Sequence, residues 1–121
     1  MRFVCFGYLN EKKWAQLPKA VQSEFLNDYF TYYSSLKKRG HFIQGEGLKG
    51  ADSGCRIHLE DGIVKVEKLI DSKDQLGGYF ILEATDIEEA KTIIAKHPGL
   101  KIGAFEIREA DEEISRMVGA K

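Results

Sequence analysis

The chain is poor in cysteine, almost neutral in net charge and without a long apolar run. Each shortage removes a class of protein. Its 2 cysteines among 121 residues are Cys5 and Cys55. They lie far apart, follow no CxxC spacing and fall in strand-like runs, so both are expected to be reduced core thiols rather than parts of a disulfide framework. No run approaches the ~20 apolar residues that a membrane helix needs. The apolar run in residues 1–14 is too short for a signal peptide. The expectation is a cytoplasmic protein with no membrane contact. The 18 basic and 19 acidic residues are mixed along the chain and sum to -1. That excludes the basic footprint of a nucleic-acid binder. No GxGxxG or Walker pattern, no nucleophile elbow and no His/Cys/Asp cluster at metal spacing is present. No cofactor and no metal is expected.

What is present reads as one domain over residues 1–121, long enough to bury its own core. Residues 2–8 are apolar on both alternating faces, Phe3/Cys5/Gly7 and Val4/Phe6/Tyr8, which marks a strand covered on both sides. A polar bend follows at Asn10 to Lys13. Pro18 suits the first turn of a helix. Val21, Phe25, Tyr29, Tyr32 and Leu36 then recur at helical spacing, widened by Leu26, Phe30 and Tyr33. Lys37-Lys38-Arg39 and Gly40 close that helix. Residues 41–48 read as a strand weakened by Gly45 and Gly47. Residues 55–60 and 63–68 flank Asp61-Gly62, a strong hairpin signal. Residues 70–78 are loop-like and 79–84 a strand. Thr85-Asp86-Ile87-Glu88 reads as a capping box, opening a helix that buries Ile87, Ala90 and Ile94 and stops at His97-Pro98-Gly99. A strand over 102–108 and a terminal helix over 111–118 complete the chain.

Without the hairpin the order is βαββαβ, an α+β fold of the ferredoxin-like kind with both helices on one face of the sheet. The other face also carries apolar residues. A second copy of the chain is its expected cover, giving a homodimer.

The stretches "FVCFGYLNEKKW", "GHFIQGEGL", "SKDQLGGYFILEATDIEEA", "KHPG" and "GAFEIREADEEI" together resemble the YCII-related, or DGPF-domain, family. The resemblance runs in order over nearly the whole chain, and the "KDQLGG" segment carries most of it. It implies a ferredoxin-like fold, a dimeric α/β barrel, and a His and an Asp in a cleft near the dimer interface. Some members are linked to alternative sigma factors. This sequence departs from the pattern at the signature itself. Val66-Glu67-Lys68-Leu69 stand where the family has Asp-Gly-Pro-Phe, His58 stands at a family arginine, and Glu106-Ile107-Arg108-Glu109 replace Glu-x-Arg-Pro. An enzyme that kept the chemistry needs another acid in place of the aspartate.

The candidate site residues follow. Gly77 and Gly78 either turn backbone N–H groups towards a ligand or make room for a neighbouring strand. Lys73 and Asp74 beside them either hold a ligand or form a solvated loop pair. His97, at a helix C-terminus, is expected to be stabilised in its charged form by the helix dipole, with a raised pKa suited to proton transfer. The alternative is a structural residue ahead of Pro98. His58 is a second proton-transfer candidate. Glu83 and Glu106 are the candidate carboxylates, or else solvent-facing strand residues. Two functions from different classes remain. One is a small-molecule enzyme using a His/carboxylate cleft. The other is a non-catalytic dimeric binding or regulatory module.

Overall fold

The computed structural model describes residues 1–69 and 74–119. Four strands form the main sheet: β1 (Arg2–Leu9), β2 (Phe42–Gly47), β5 (Gln75–Glu83) and β6 (Gly103–Glu109). Their spatial order is β2-β5-β1-β6, with every neighbouring pair antiparallel. Helices α2 (Lys19–Lys38) and α3 (Ile87–Ile94) are the two crossovers. This is the ferredoxin-like α+β arrangement expected from the element order. Strands β3 (Arg56–Glu60) and β4 (Ile63–Glu67) form a separate two-stranded sheet inserted between β2 and β5. Asp61 and Gly62 turn it with φ of 52° and 78°, the left-handed pair that a tight hairpin needs. Among the described residues no helix is long and apolar enough to cross a membrane.

The core lies between the helices and one face of the sheet. Phe3 and Cys5 of β1 and Phe80 and Leu82 of β5 meet Leu36 of α2 and Ala90, Ile93 and Ile94 of α3 there. Cys5 is fully buried, and desolvation pushes its thiol up to about 12. The opposite face presents Val4, Phe6, Tyr79 and Ile81, each half-buried.

Several expectations are corrected. Cys55 is exposed and not part of the core, because it precedes a hairpin that packs on little else. The polar bend after β1 contains a short helix, α1 (Glu11–Gln16), whose first turn is capped by the Asn10 side chain on the Lys13 amide. Pro18 sits at the N-cap of α2 rather than inside its first turn. Phe30 is 75% exposed, and Val21, Leu26 and Ile87 are exposed too, so the buried stripes of both helices are narrower than their apolar stripes. The start of α3 is capped one residue later than expected. Asp86 accepts from the Glu89 amide, and Glu89 reaches back to the Thr85 amide. A terminal helix, α4 (Glu112–Met117), is capped by Asp111.

Candidate active site

Gly77 and Gly78 belong to β5 itself and not to a loop in front of it. β1 pairs with β5 up to Gly7↔Gly78. The register then shifts, so that Tyr8 faces Leu76 and Gly77 becomes the extra residue of a bulge. On the other side of β5, Gly78 faces Gly47 of β2. Gly7, Gly78 and Gly47 therefore lie in one row across three adjacent strands. Alternation puts that row on the helix side, two residues along from Cys5, Phe80 and Gly45. None of these glycines has a positive φ, so space and not backbone strain explains them.

The space is used differently along the row. A Cβ on Gly7 would stand 2.9 Å from the Phe105 ring, which lies over it. A Cβ on Gly78 would stand 2.8 Å from the Glu46 carbonyl oxygen. A Cβ on Gly47 would meet nothing within 4 Å. On β1, β5 and β2 this row carries no side chains, Phe105 of β6 completes it, and a cavity of about 380 Å³ opens between the sheet and α2. A volume of this order falls at the lower end of the ~300–1,000 Å³ of small-molecule sites. Trp14 of α1 and Phe25, Tyr29 and Tyr33 of α2 wall it, with Phe42, Phe80 and Phe105 from the strands. Trp14, Phe25, Tyr29 and Tyr33 form a continuous run of ring contacts, with centroids 5.1–5.8 Å apart. The charged lining residues are Lys37, held 5.2 Å above the Phe42 ring, and Glu46.

His97 stands directly behind this wall. It is only 2% exposed. Tyr29, Tyr32, Tyr33 and Phe105 surround it, with ring centroids 4.1–5.3 Å from its own. Its Nδ1 accepts from the Gly99 amide at 2.8 Å, and its Nε2 lies 2.8 Å from the Tyr33 hydroxyl. The expected rise in its pKa is reversed. Desolvation among the rings lowers it from 6.5 to about 4, because burial disfavours the charged imidazolium. The residue is not in the last turn of α3. That helix ends at Ile94, and His97 instead caps the short 3-10 turn Pro98–Lys101. The helix dipole invoked from sequence falls off within a turn and does not outweigh the loss of water.

The other candidates lie apart from His97. His58 sits on the hairpin and pairs with Glu67. Glu83 holds the Met1 ammonium at 2.7 Å. Glu106 accepts from the Tyr8 hydroxyl at 3.0 Å at an exposed position. The Tyr8 and Glu106 side chains stand on the face opposite the glycine row, so Glu106, like Glu83 and His58, does not line the cavity. Asp74 is exposed at the start of β5 and does not line the cavity. Lys73 lies outside the described residues. Of the candidates, Gly77 and Gly78 line the cavity and His97 backs it. His97 and the two glutamates do not converge as one His/carboxylate group. Among the described residues no group of three or more His, Cys, Asp or Glu side chains is placed to hold a metal ion.

Sequence reasoning placed Tyr29 and Tyr33 only on an apolar helix stripe. A signal was available: three tyrosines on one buried face carry hydroxyls that each need a partner. The single histidine of the "KHPG" stretch supplies one of them.

The family profile of the YCII-related domain matches residues 1–113. The chain belongs to the YCII-related family. Among solved structures, this YCII-related protein is similar to the 5-chloro-2-hydroxyhydroquinone dehydrochlorinase of Burkholderia phenoliruptrix, in complex with 2,5-dihydroxybenzoquinone. The match has a TM-score of 0.59 at 18% identity and covers 92% of this chain and 94% of that one. At that identity the likeness is one of fold. Nothing among the curated proteins matches the chain.

Proposed function

We propose that this YCII-related protein is an enzyme that binds a small planar ring compound in the cavity between α2 and the glycine row. One observation carries the proposal. Gly78 and Gly47, with Gly7 lying under the Phe105 ring, leave a strip of bare backbone opposite a wall of aromatic rings. Bare backbone opposite aromatic rings favours a flat ring that stacks on them over a puckered one. The ligand of the dehydrochlorinase, a dihydroxylated quinone, is a compound of that shape. His97 backs the slot and takes the place of the His/carboxylate cleft anticipated from sequence, while the Tyr8–Glu106 pair lies on the opposite face of the sheet.

The half-buried face of Val4, Phe6, Tyr79 and Ile81 supports a homodimer built sheet to sheet. The free, exposed Cys55 fits a reducing compartment such as the cytoplasm. A second function, that of a non-catalytic dimeric module working with a regulatory protein such as an alternative sigma factor, draws support from the hairpin. Ile57, Leu59, Val64 and Val66 share one face of it and are all exposed.

The test is a nitrogen-15 NMR titration of the dimer, its mass checked by light scattering, with 2,5-dihydroxybenzoquinone and salicylate against cyclohexanecarboxylate. Shifts at Gly47, Gly78 and Tyr33 with the flat compounds alone are expected, and turnover assays follow from them. Equal shifts with the saturated ring, or none at the slot, would sink the enzyme proposal and leave the hairpin-based module.

A further inference from the structure

Charge is distributed unevenly around the cavity. Of its lining residues only Lys37 and Glu46 carry a full charge. Their side chains part at the sheet. Glu46 pairs with Tyr79, and the next pair along, Gly47↔Gly78, belongs to the helix side. Alternation therefore sends the Glu46 carboxylate to the opposite face, with Tyr79, Phe6 and Glu106. What Glu46 presents to the glycine row is its backbone carbonyl oxygen, 2.8 Å from where a Cβ on Gly78 would stand. Among the described residues Lys37 is then the single charged side chain on the cavity side.

Lys37 also has the place and the freedom to meet a ligand. It follows Phe25, Tyr29 and Tyr33 at a spacing of one helical turn along α2, so it continues the aromatic wall. Its Nζ is held 5.2 Å from the centre of the Phe42 ring, which belongs to the edge strand β2. Lys37 is exposed, so its ammonium stands where the cavity meets water. Among the described residues no carboxylate pairs with it. Lys38 and Arg39 answer the negative end of the α2 dipole without lining the cavity, so the helix end has its cations without Lys37. The remaining polar lining groups are neutral. The Trp14 indole and the Tyr29 and Tyr33 hydroxyls can donate to the oxygen of an acid or of an amide. The Gly99 amide is taken by Nδ1 of His97.

Resting on the assignment of the cavity to a planar ring, we infer that the ligand is an anion, a flat aromatic acid, and that Lys37 selects it by its charge. The ring lies along the aromatic wall, and its carboxylate or phenolate sits at the border with Lys37. This placement keeps the charge near water and takes the apolar ring out of it, which costs less than burying both. The Phe42 ring keeps the ammonium at that border by attraction to its face. A carboxylate in the same place would repel such a ligand, and the alternation of β2 turns the nearest one, that of Glu46, away. Lys37 is a specificity-determining residue and takes no part in bond making.

The experiment uses benzoate, benzamide and benzamidine. They share a flat ring and a planar substituent of nearly equal size, and at neutral pH they are anionic, neutral and cationic. Affinities are measured by nitrogen-15 NMR titration, followed at Gly47 and Gly78, for the wild-type protein, Lys37→Met and Lys37→Glu. The wild type is expected to bind benzoate about three- to tenfold more tightly than benzamide, the range of an ion pair at a solvent border, and to bind benzamidine least. Added salt weakens the binding of benzoate and leaves that of benzamide unchanged. Lys37→Met melts as the wild type does, binds benzamide as before and loses the preference for benzoate. Lys37→Glu inverts the order of the three. Equal affinities in the wild type, tighter binding of benzamidine, or a preference for benzoate that survives in Lys37→Met overturns the inference and leaves the slot standing. Failure of all three compounds to shift Gly47 and Gly78 overturns the slot as well.

Discussion

The helix-facing side of the sheet has two ends that are built in opposite ways. At one end Phe3 and Leu82 stand in register, both fully buried, with Leu36 packed over them. At the other end the same three strands present Gly7, Gly78 and Gly47. The packed end gains stability from every methylene it removes from water. The glycine end gives up that gain and keeps a slot open. A fold this small tolerates the loss because the cavity is walled by large rings on α2, which still bury much of their own surface against one another. One sheet face thus carries both the core and the candidate site, and the choice of side chain at each register position divides them.

The sharpest way to break that comparison is to truncate one end and fill the other. Leu82→Ala at the packed end is expected to cost about 2–5 kcal/mol, the usual range for a fully buried leucine, read by urea denaturation. A loss under about 1 kcal/mol would mean that the packed end is not the core.

A second and comparable effect lies behind the slot. Folded His97 takes up a proton only near pH 4, whereas the unfolded chain does so near 6.5. Between these values the unfolded state binds more protons, so stability falls as the pH drops through that window and is unaffected by His97 above it. The expected loss is roughly 3 kcal/mol across the window. Urea midpoints measured from pH 7.5 down to 4 should decline in the wild type and decline less in His97→Gln. Equal slopes in the two proteins would place His97 in a wetter setting than its aromatic cage provides.

The smallest expected effect sharpens the comparison most. Gly47→Ala adds a methyl group to open space at an ordinary backbone conformation. Its stability should stay level or rise by up to about 1 kcal/mol, as the unfolded chain loses freedom. Binding of flat ring compounds should nevertheless weaken. A clear fall in stability would show that the slot's floor is packed and not open.

Much of the fold was legible along the chain. The alternating run in β1, the helical stripe from Phe25 to Leu36, Asp61-Gly62 at the hairpin turn and Asp86 ahead of α3 all mark structure that local rules decide. These are contacts between residues a few positions apart, where period and turn chemistry suffice. Burial on each helix was less legible. Phe30 and Ile87 fit the apolar period and yet face outwards, because which part of a stripe is covered depends on where the sheet ends. Cys55 was misplaced for the same reason: the hairpin reads as strand, but among the described residues little packs over it.

The candidate site was legible only in fragments. "LGGY" and "KHPG" attracted notice, while Gly45 and Gly47 read as weaknesses of one strand and Gly7 as part of one face of another. The sequence by itself determined the βαββαβ order, the hairpin and the family, because those rest on local periodicity and on motifs read in order. Only the tertiary structure decided that three glycines 31 to 71 positions apart along the chain fall in one row, and that His97 sits dry among tyrosines. Both depend on strand register and on the packing of distant segments. A register is set by the whole sheet, and a pKa by everything that displaces water around one ring.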